Sequence, residues 1–231
     1  MDNKDRKKNI SVAVDGPSGS GKSTLSRAAA KELSLVYVDT GAIYRTTALH
    51  ILRRGADPRD AVAAAALLPE VGITLSYDAA GVQRMCLNGE DVTELIRTQE
   101  VSMAASAVSA YPVVRAFLLE MQRELARRHS VIMDGRDIGT VVLPGADVKI
   151  FLTAGSEIRA RRRWLELRER GTPRDWEQLL QETRERDEKD ANRAESPLRP
   201  AADSVLLDTS ELDFSQSLER IIEIIRERTG S

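Results

Sequence analysis

The sequence predicts an α/β domain built on about five parallel strands, and three observations carry that prediction. Apolar runs of strand length recur at 10–15, 35–39, 131–134, 148–153 and 204–209. Their apolarity is continuous rather than alternating, which is the pattern of strands covered on both faces. Helix-forming stretches separate them, as crossovers between parallel strands require. With 231 residues, 42% of them hydrophobic, the chain can fill one large domain or a core carrying smaller lobes.

The first run, ISVAVD, leads into GPSGSGKST and then straight into the good helix former STLSRAAAKEL. Gly16, Gly21, Lys22 and Ser23 match G-x-x-x-x-G-K-[ST], the phosphate-binding loop. Glycines let the backbone wrap so that its N–H groups point at phosphate oxygens, and the new helix adds the positive end of its dipole. Gly16, Pro17, Ser18, Gly19, Ser20, Gly21, Lys22, Ser23 and Thr24 are therefore the candidate socket for ATP. Lys22 is placed to reach the β- and γ-phosphates, and the Ser23 hydroxyl to ligate Mg2+. Strand, loop and helix in this order predict a P-loop NTPase core.

The second run ends in DTGAIYR, which puts Thr40, Tyr44 and Arg45 at the sheet edge where ligands of α/β proteins bind. Between Leu67 and Ser106 the texture changes to a hairpin about a turn at Asp78–Gly81, an insertion of roughly 40 residues into the βαβ progression. Just before it, AVAAAALLPE reads as a packed helix. The third run ends in DGRDIGT, bringing Asp134, Arg136 and Asp137 to the same edge.

After the fourth run, 157–193 is helical and highly charged, divided into two helices by GTPRDW. It contains RARRR and RERDEKDANR, in which Arg186, Asp190 and Arg193 fall four and three apart, on one helical face. Each basic run alone is also compatible with a solvated helix laced by ion pairs. A reaction joining two phosphorylated partners would bring about six negative charges into one cleft, and would give all these cations one task. The chain closes with DFSQSLERIIEIIRERTG, an amphipathic helix capped by Asp213 or Ser215 and ended by Gly230.

Composition excludes other classes. With 34 Lys+Arg against 36 Asp+Glu the formal charge is −2, so no global field draws the chain to nucleic acid or an acidic membrane. Glu157, Glu166 and Glu169 dilute the basic stretch, and stacking aromatics are scarce. The charged start MDNKDRKKNI has no apolar run behind it, and no window reaches the roughly 18 apolar residues of a membrane span. A cytoplasmic monomer acting on small molecules is expected. The single Cys86 permits neither an internal disulfide nor a multi-cysteine zinc site. His50 and His129 are expected at the surface, and Trp164 and Trp176 are expected to pack locally.

DGPSGSGKST, DTGAIYR, DGRDIGTVVLP, RERDEKDANR and SPLRPAADSVLLDTS occur in the same order as in bacterial cytidylate kinases, which the chain resembles over about residues 10–228. The resemblance implies transfer of the γ-phosphoryl group of ATP to CMP or dCMP with Mg2+. It implies a core at 9–38, 107–155 and 194–231, a monophosphate-binding lobe with a small antiparallel sheet at 39–106, and a short helical lid at 156–193. Asp137 would accept from the cytosine N4 amino group, with Ser106 and Arg115 on the O2/N3 side. Arg186 and Asp190 would hold the ribose, and Thr40, Tyr44, Arg45, Arg136 and Arg193 would surround the acceptor phosphate. Arg159, Arg162 and Arg163 would lie in or beside the lid over the ATP phosphates. Lys22, Arg136, Arg162 and Arg193 would carry the transition-state charge, and Asp134 would orient Mg2+, through water in one arrangement. Many bacterial members read GKGT where this chain has GKST, which leaves Thr24 beside Ser23 as a metal contact. UMP or another acceptor, and an ATP-driven switch without an acceptor, are the alternative readings.

Overall fold

The continuous apolar runs form the strands of one parallel sheet in the computed structural model, which describes residues 9–79, 81–169 and 171–230. The charged start at 1–8, Ala80 within the turn, Arg170 and Ser231 lie outside the described residues. In chain order the elements are β1 (Ser11–Asp15), α1 (Lys22–Glu32), β2 (Val36–Asp39), α2 (Thr40–Arg53), α3 (Ala61–Leu67), β3 (Ile73–Tyr77), β4 (Gln83–Leu87) and β5 (Glu90–Asp91). There follow α4 (Gln99–Val108), α5 (Pro112–Arg128), β6 (Val131–Gly135), a π turn (Ile138–Val142), β7 (Val148–Thr153), α6 (Ser156–Glu169), α7 (Trp176–Asn192), β8 (Val205–Asp208) and α8 (Phe214–Thr229).

The sheet order is β2-β6-β1-β7-β8, every pair parallel. Successive side chains leave a strand on opposite faces. Val12 and Val14 therefore join Ile132, Ile150 and Leu152 under α1 and α8, while Ala13 joins Val38, Met133 and Ile138 on the face toward α5. Burial on both faces holds for the central strands. It fails at β8, an edge strand with one neighbour, where Leu206 is 64% exposed.

The inserted segment forms its own antiparallel sheet, β3-β4-β5, with the expected turn closed by Gly81 N–H donating to the Asp78 carbonyl at 2.9 Å. Its third strand has two residues, and Cys86 sits half-buried on β4. A separate core of Ile43, Ile51, Met85, Ile96, Val101 and Val108 ties this sheet to α2 and α4, and Val114 and Leu118 of α5 join it. The hairpin also reaches the main sheet. The Tyr77 hydroxyl donates to the Tyr37 carbonyl at 2.9 Å, and Gln83 Oε1 accepts from Asp39 N–H at 2.8 Å.

Two expectations are corrected here. His50 is buried, because it lies on the inward face of α2 although its neighbours Arg53 and Arg54 are solvated; His129 is exposed. The alanine-rich α3 buries only Ala64 and leaves Val62 80% exposed, so it is largely a surface helix.

The two charged helices α6 and α7 pack on each other. Trp164 packs locally, donating from Nε1 to the Arg174 carbonyl at 3.1 Å beneath the Arg168 guanidinium. In α8 the cap is Asp213, reciprocated by Gln216 as a capping box, and Gly230 ends the helix at φ 69°.

β1 delivers the chain to Gly16 so close to β7 that a Cβ there would stand 2.0 Å from the Leu152 carbonyl oxygen. Gly16→Ala is therefore expected to cost more than about 2 kcal/mol, read as a lower urea midpoint at unchanged slope. A midpoint equal to that of the parent would refute this close approach.

Candidate active site

Gly21 takes a left-handed conformation at φ 89°, and α1 begins with Lys22 directly behind it. Lys22 is 6% exposed, and its Nζ donates to the Pro17 carbonyl at 3.2 Å. Burial, reinforced by Arg136, pushes the ammonium down to about 7 against the opposing pull of Asp134. The next residue, Ser23, donates its hydroxyl to Asp134 Oδ2 at 2.6 Å, and Tyr37 donates to Oδ1 at 3.0 Å. Asp134 is buried, and burial raises its pKa. A hydroxyl and a carboxylate on one spot beside the phosphate loop are the hard oxygen donors that Mg2+ takes together with phosphate oxygens. Ser23, rather than the exposed Thr24, is the hydroxyl joined to that carboxylate.

The arginines expected over the donor phosphates separate into different roles. Arg159 is 4% exposed and lies behind the loop. Its guanidinium donates to the Ala154 carbonyl at 2.7 Å and the Ser18 carbonyl at 2.9 Å, and forms an ion pair with Asp187. A Cβ on Gly19 would meet Arg159 Cβ at 3.2 Å. Arg159 thus braces the loop where a lid arginine facing the phosphates was expected; on helix α6 it lies a full turn from Arg162 and Arg163, toward the core. Arg162 donates to the Thr209 carbonyl at 2.7 Å and lines a cavity of about 490 Å³ with Lys22, Thr24, Leu212 and Phe214. Arg163 is at its rim, paired with Glu166 at 2.8 Å. Sequence reasoning missed Thr209, Leu212 and Phe214; the available signal was that β8 ends on the same sheet edge as the loop.

Opposite this cavity, the ends of β2 and β6 and helix α7 bring the remaining candidates together. Thr40 donates its hydroxyl to the Asp134 carbonyl at 2.8 Å. Arg45 pairs with Asp39 at 3.0 Å, and Arg136 with Asp190 at 2.9 Å. Burial works to raise the Asp190 carboxyl, but Arg136, with Arg186 and Arg193, holds it below the usual carboxylate range. Arg186 is crowded by protein atoms and by Arg136, which push its guanidinium down, yet its side chain remains open to solvent. Arg193 does not continue the helix. It turns away at ψ 140° as the cap of α7, donating from Nε to the Ser196 carbonyl at 2.6 Å, with one buried terminal nitrogen left without a hydrogen-bond partner among the described residues.

Asp137 and Arg115 form a buried ion pair at the far end of the cleft. Arg115 also donates to the Ser109 carbonyl at 3.2 Å and lies 5.8 Å over the Tyr44 ring. Ser106 is not joined to this group by any side-chain hydrogen bond among the described residues; it is exposed on α4, and its carbonyl accepts from the Ser109 hydroxyl at 3.0 Å. Asp15 was also missed. It precedes Gly16, outside the G-x-x-x-x-G-K-[ST] pattern, and its buried carboxylate accepts from the N–H groups of Ile138 at 2.8 Å and Gly139 at 2.7 Å.

A phosphate loop and a cation-lined cleft on one edge of a parallel sheet, bordered by an inserted lobe and a helical pair, define a P-loop phosphotransferase of the nucleoside monophosphate kinase fold. The chain belongs to the cytidylate kinase family, whose model matches residues 12–227. It is 47% identical to the cytidylate kinase of Desulfitobacterium hafniense over 222 residues, 96% of this chain and 95% of that one. With the cytidylate kinase of Rhodococcus opacus it shares 49% over 220 residues, 95% and 96% of the two chains. A solved structure of an uncharacterized protein from Eubacterium ventriosum has the same fold at 12% identity, with a TM-score of 0.50 over 94% of this chain and 98% of the other.

Burial raises Asp15 from 3.8 to about 6. The native chain therefore holds a proton that the unfolded chain has released between those values, and Asp15 contributes less stability as pH rises through about 6. The melting temperature of Asp15→Asn relative to the parent is expected to be more favourable at about pH 7.5 than at about pH 4.5. A flat or inverted difference, measured by calorimetry, would refute this.

Proposed function

We propose that this protein transfers the γ-phosphoryl group of ATP to CMP and dCMP, giving ADP and CDP or dCDP. The observation that carries the reading is the buried Asp137–Arg115 pair, with Arg115 over the Tyr44 ring, on the same sheet edge as Lys22. A carboxylate accepts from the N4 amino group of cytosine, whereas uracil presents a carbonyl oxygen there. Arg115 donates toward O2 and N3, and Ser106 joins it when the lobe at 39–106 moves inward. Arg186 and Asp190 take the ribose hydroxyls. Arg45, Arg136 and Arg193, with Thr40 and Tyr44, take the acceptor phosphate, to which the unpartnered nitrogen of Arg193 is suited.

On the donor side the triphosphate lies along Gly16–Thr24, with Lys22 on the β- and γ-phosphates and the adenine against Leu212 and Phe214. Arg162 and Arg163, on the lid at 156–193, face it across the cavity. Ser23 and Asp134 would hold Mg2+, which would neutralise developing charge on the phosphate oxygens when bound. The acceptor phosphate is already ionised near neutral pH, so no general base is required, and the side chains act by aligning two anions and stabilising the charge between them. Closure of lobe and lid over the core at 9–38, 107–155 and 194–231 keeps water from the reaction. The chain acts as a cytoplasmic monomer on small molecules, without nucleic acid or membrane. Among the described residues no single helix is long and apolar enough to cross a bilayer.

ADP release from Mg-ATP offered CMP, dCMP, UMP, AMP, shikimate, cytidine or no acceptor tests the reading directly. Turnover confined to CMP and dCMP is expected, and equal turnover without acceptor would sink it. Lys22→Ala should lower kcat by about two to three orders of magnitude with unchanged circular dichroism; near-normal turnover would exclude the loop from the chemistry. Asp137→Ala should lower kcat/KM for CMP by about 10- to 100-fold while ATP binding stays within error. Equal loss of both would remove the cytosine assignment.

A further inference from the structure

The backbone around Asp137 is held from two directions by residues outside the nucleotide-contacting set. Toward the chain end, the Asp137 carbonyl accepts from the N–H groups of Val141 at 2.8 Å and Val142 at 3.2 Å, closing the π turn. The carbonyls of those same two residues accept from Arg123 of α5, Nε to Val142 at 3.0 Å and a terminal nitrogen to Val141 at 3.0 Å. On its other side the turn presents the N–H groups of Ile138 and Gly139 to the Asp15 carboxylate. A Cβ on Gly139 would stand 3.4 Å from Asp15 Oδ2, so the fit there is close. An anion thus grips the start of the five-residue turn and a cation its end, matching the partial charges of each.

The two grips come from the two halves of the site. Asp15 is the last residue of β1 before Gly16 of the phosphate loop, and Arg123 lies two turns along the helix that carries Arg115. A π turn is a strained, uncommon conformation that persists when its surroundings over-determine it. Here the surroundings are a carboxylate and a guanidinium, each making two hydrogen bonds. Keeping a negative group at Asp15 is costly, since burial and the nearby Asp137 both disfavour its ionised form.

We propose that Asp15 and Arg123 are positioning residues that hold the turn carrying Asp137, and thereby set the preference for cytosine over uracil and fix the acceptor base relative to the phosphate loop. The inference rests on the reading of Asp137 as the group that recognises the base. Loss of either grip lets Asp137 shift by a fraction of an ångström, enough to spoil its contact with the N4 amino group while leaving bulk binding intact.

The test measures kcat/KM for CMP and for UMP, and KM for ATP, in the parent, Asp15→Asn, Arg123→Met, the conservative Arg123→Lys, and Asp137→Ala as reference. Asp15→Asn and Arg123→Met are expected to lower the CMP-to-UMP ratio by about tenfold, a shift of the size that small misplacements cause, with KM for ATP within about twofold in Arg123→Met. Arg123→Lys retains a donor and should recover part of the ratio. A residue serving stability alone would reduce the active fraction for both acceptors equally and leave the ratio unchanged. If Asp137→Ala shifts the ratio and neither Asp15→Asn nor Arg123→Met does, the positioning role is overturned and the base reading stands. If Asp137→Ala leaves the ratio unchanged, the base reading falls and takes this inference with it.

Discussion

Strand β6 lies between β1 and β2 in register with both, and the site depends on that double pairing. Asp134 stands opposite Val14 on one side and Asp39 on the other. Because the strands are parallel, their C-terminal ends open on one edge, so the phosphate loop, the start of α2 and the Gly135–Asp137 segment emerge side by side. Asp134 fastens them together. Its carboxylate receives Ser23 and Tyr37, and its carbonyl receives Thr40. Three segments distant in sequence become neighbours through one residue of one strand.

Onto that edge the chain brings more positive charge than a half-buried cleft tolerates without compensation. The lowered pKa of Lys22 shows the strain, since burial and Arg136 both oppose its charge. Carboxylates answer four of the guanidiniums: Asp39 for Arg45, Asp190 for Arg136, Asp137 for Arg115 and Asp187 for Arg159. Such pairs gain little net stability over apolar packing, because desolvation offsets the Coulomb attraction. Their value is geometric. Each holds a long, rotamer-rich side chain in one place, so that the ordering cost is met before a substrate phosphate arrives.

Much of this was legible in the sequence because the signals are periodic or local. Continuous apolarity located all five strands of the main sheet, and G-x-x-x-x-G-K-S located the loop and its helix. What escaped were features that depend on where a side chain points. RARRR reads as one basic run, yet helical phase sends Arg159 into the core and Arg162 into the cavity. Arg193 has the spacing of a helical residue and sits just past the helix end. His50 looked solvated because charged residues follow it, although its own face of α2 is inward. Tyr37 and Arg123 carry no motif, and Asp15 lies just outside the G-x-x-x-x-G-K-S pattern; their partners lie roughly 20 to 120 residues away, and only the packed chain brings them together.

The distribution of two scarce residue types has a practical consequence. Both tryptophans of the chain fall on α6 and α7, and its one thiol, Cys86, sits half-buried on β4 of the inserted hairpin. The helical pair therefore carries the intrinsic fluorescence, and the lobe on the other side of the cleft carries the sole attachment point for an acceptor dye. Energy transfer between them would report the distance across the cleft in solution without introducing or removing a single residue.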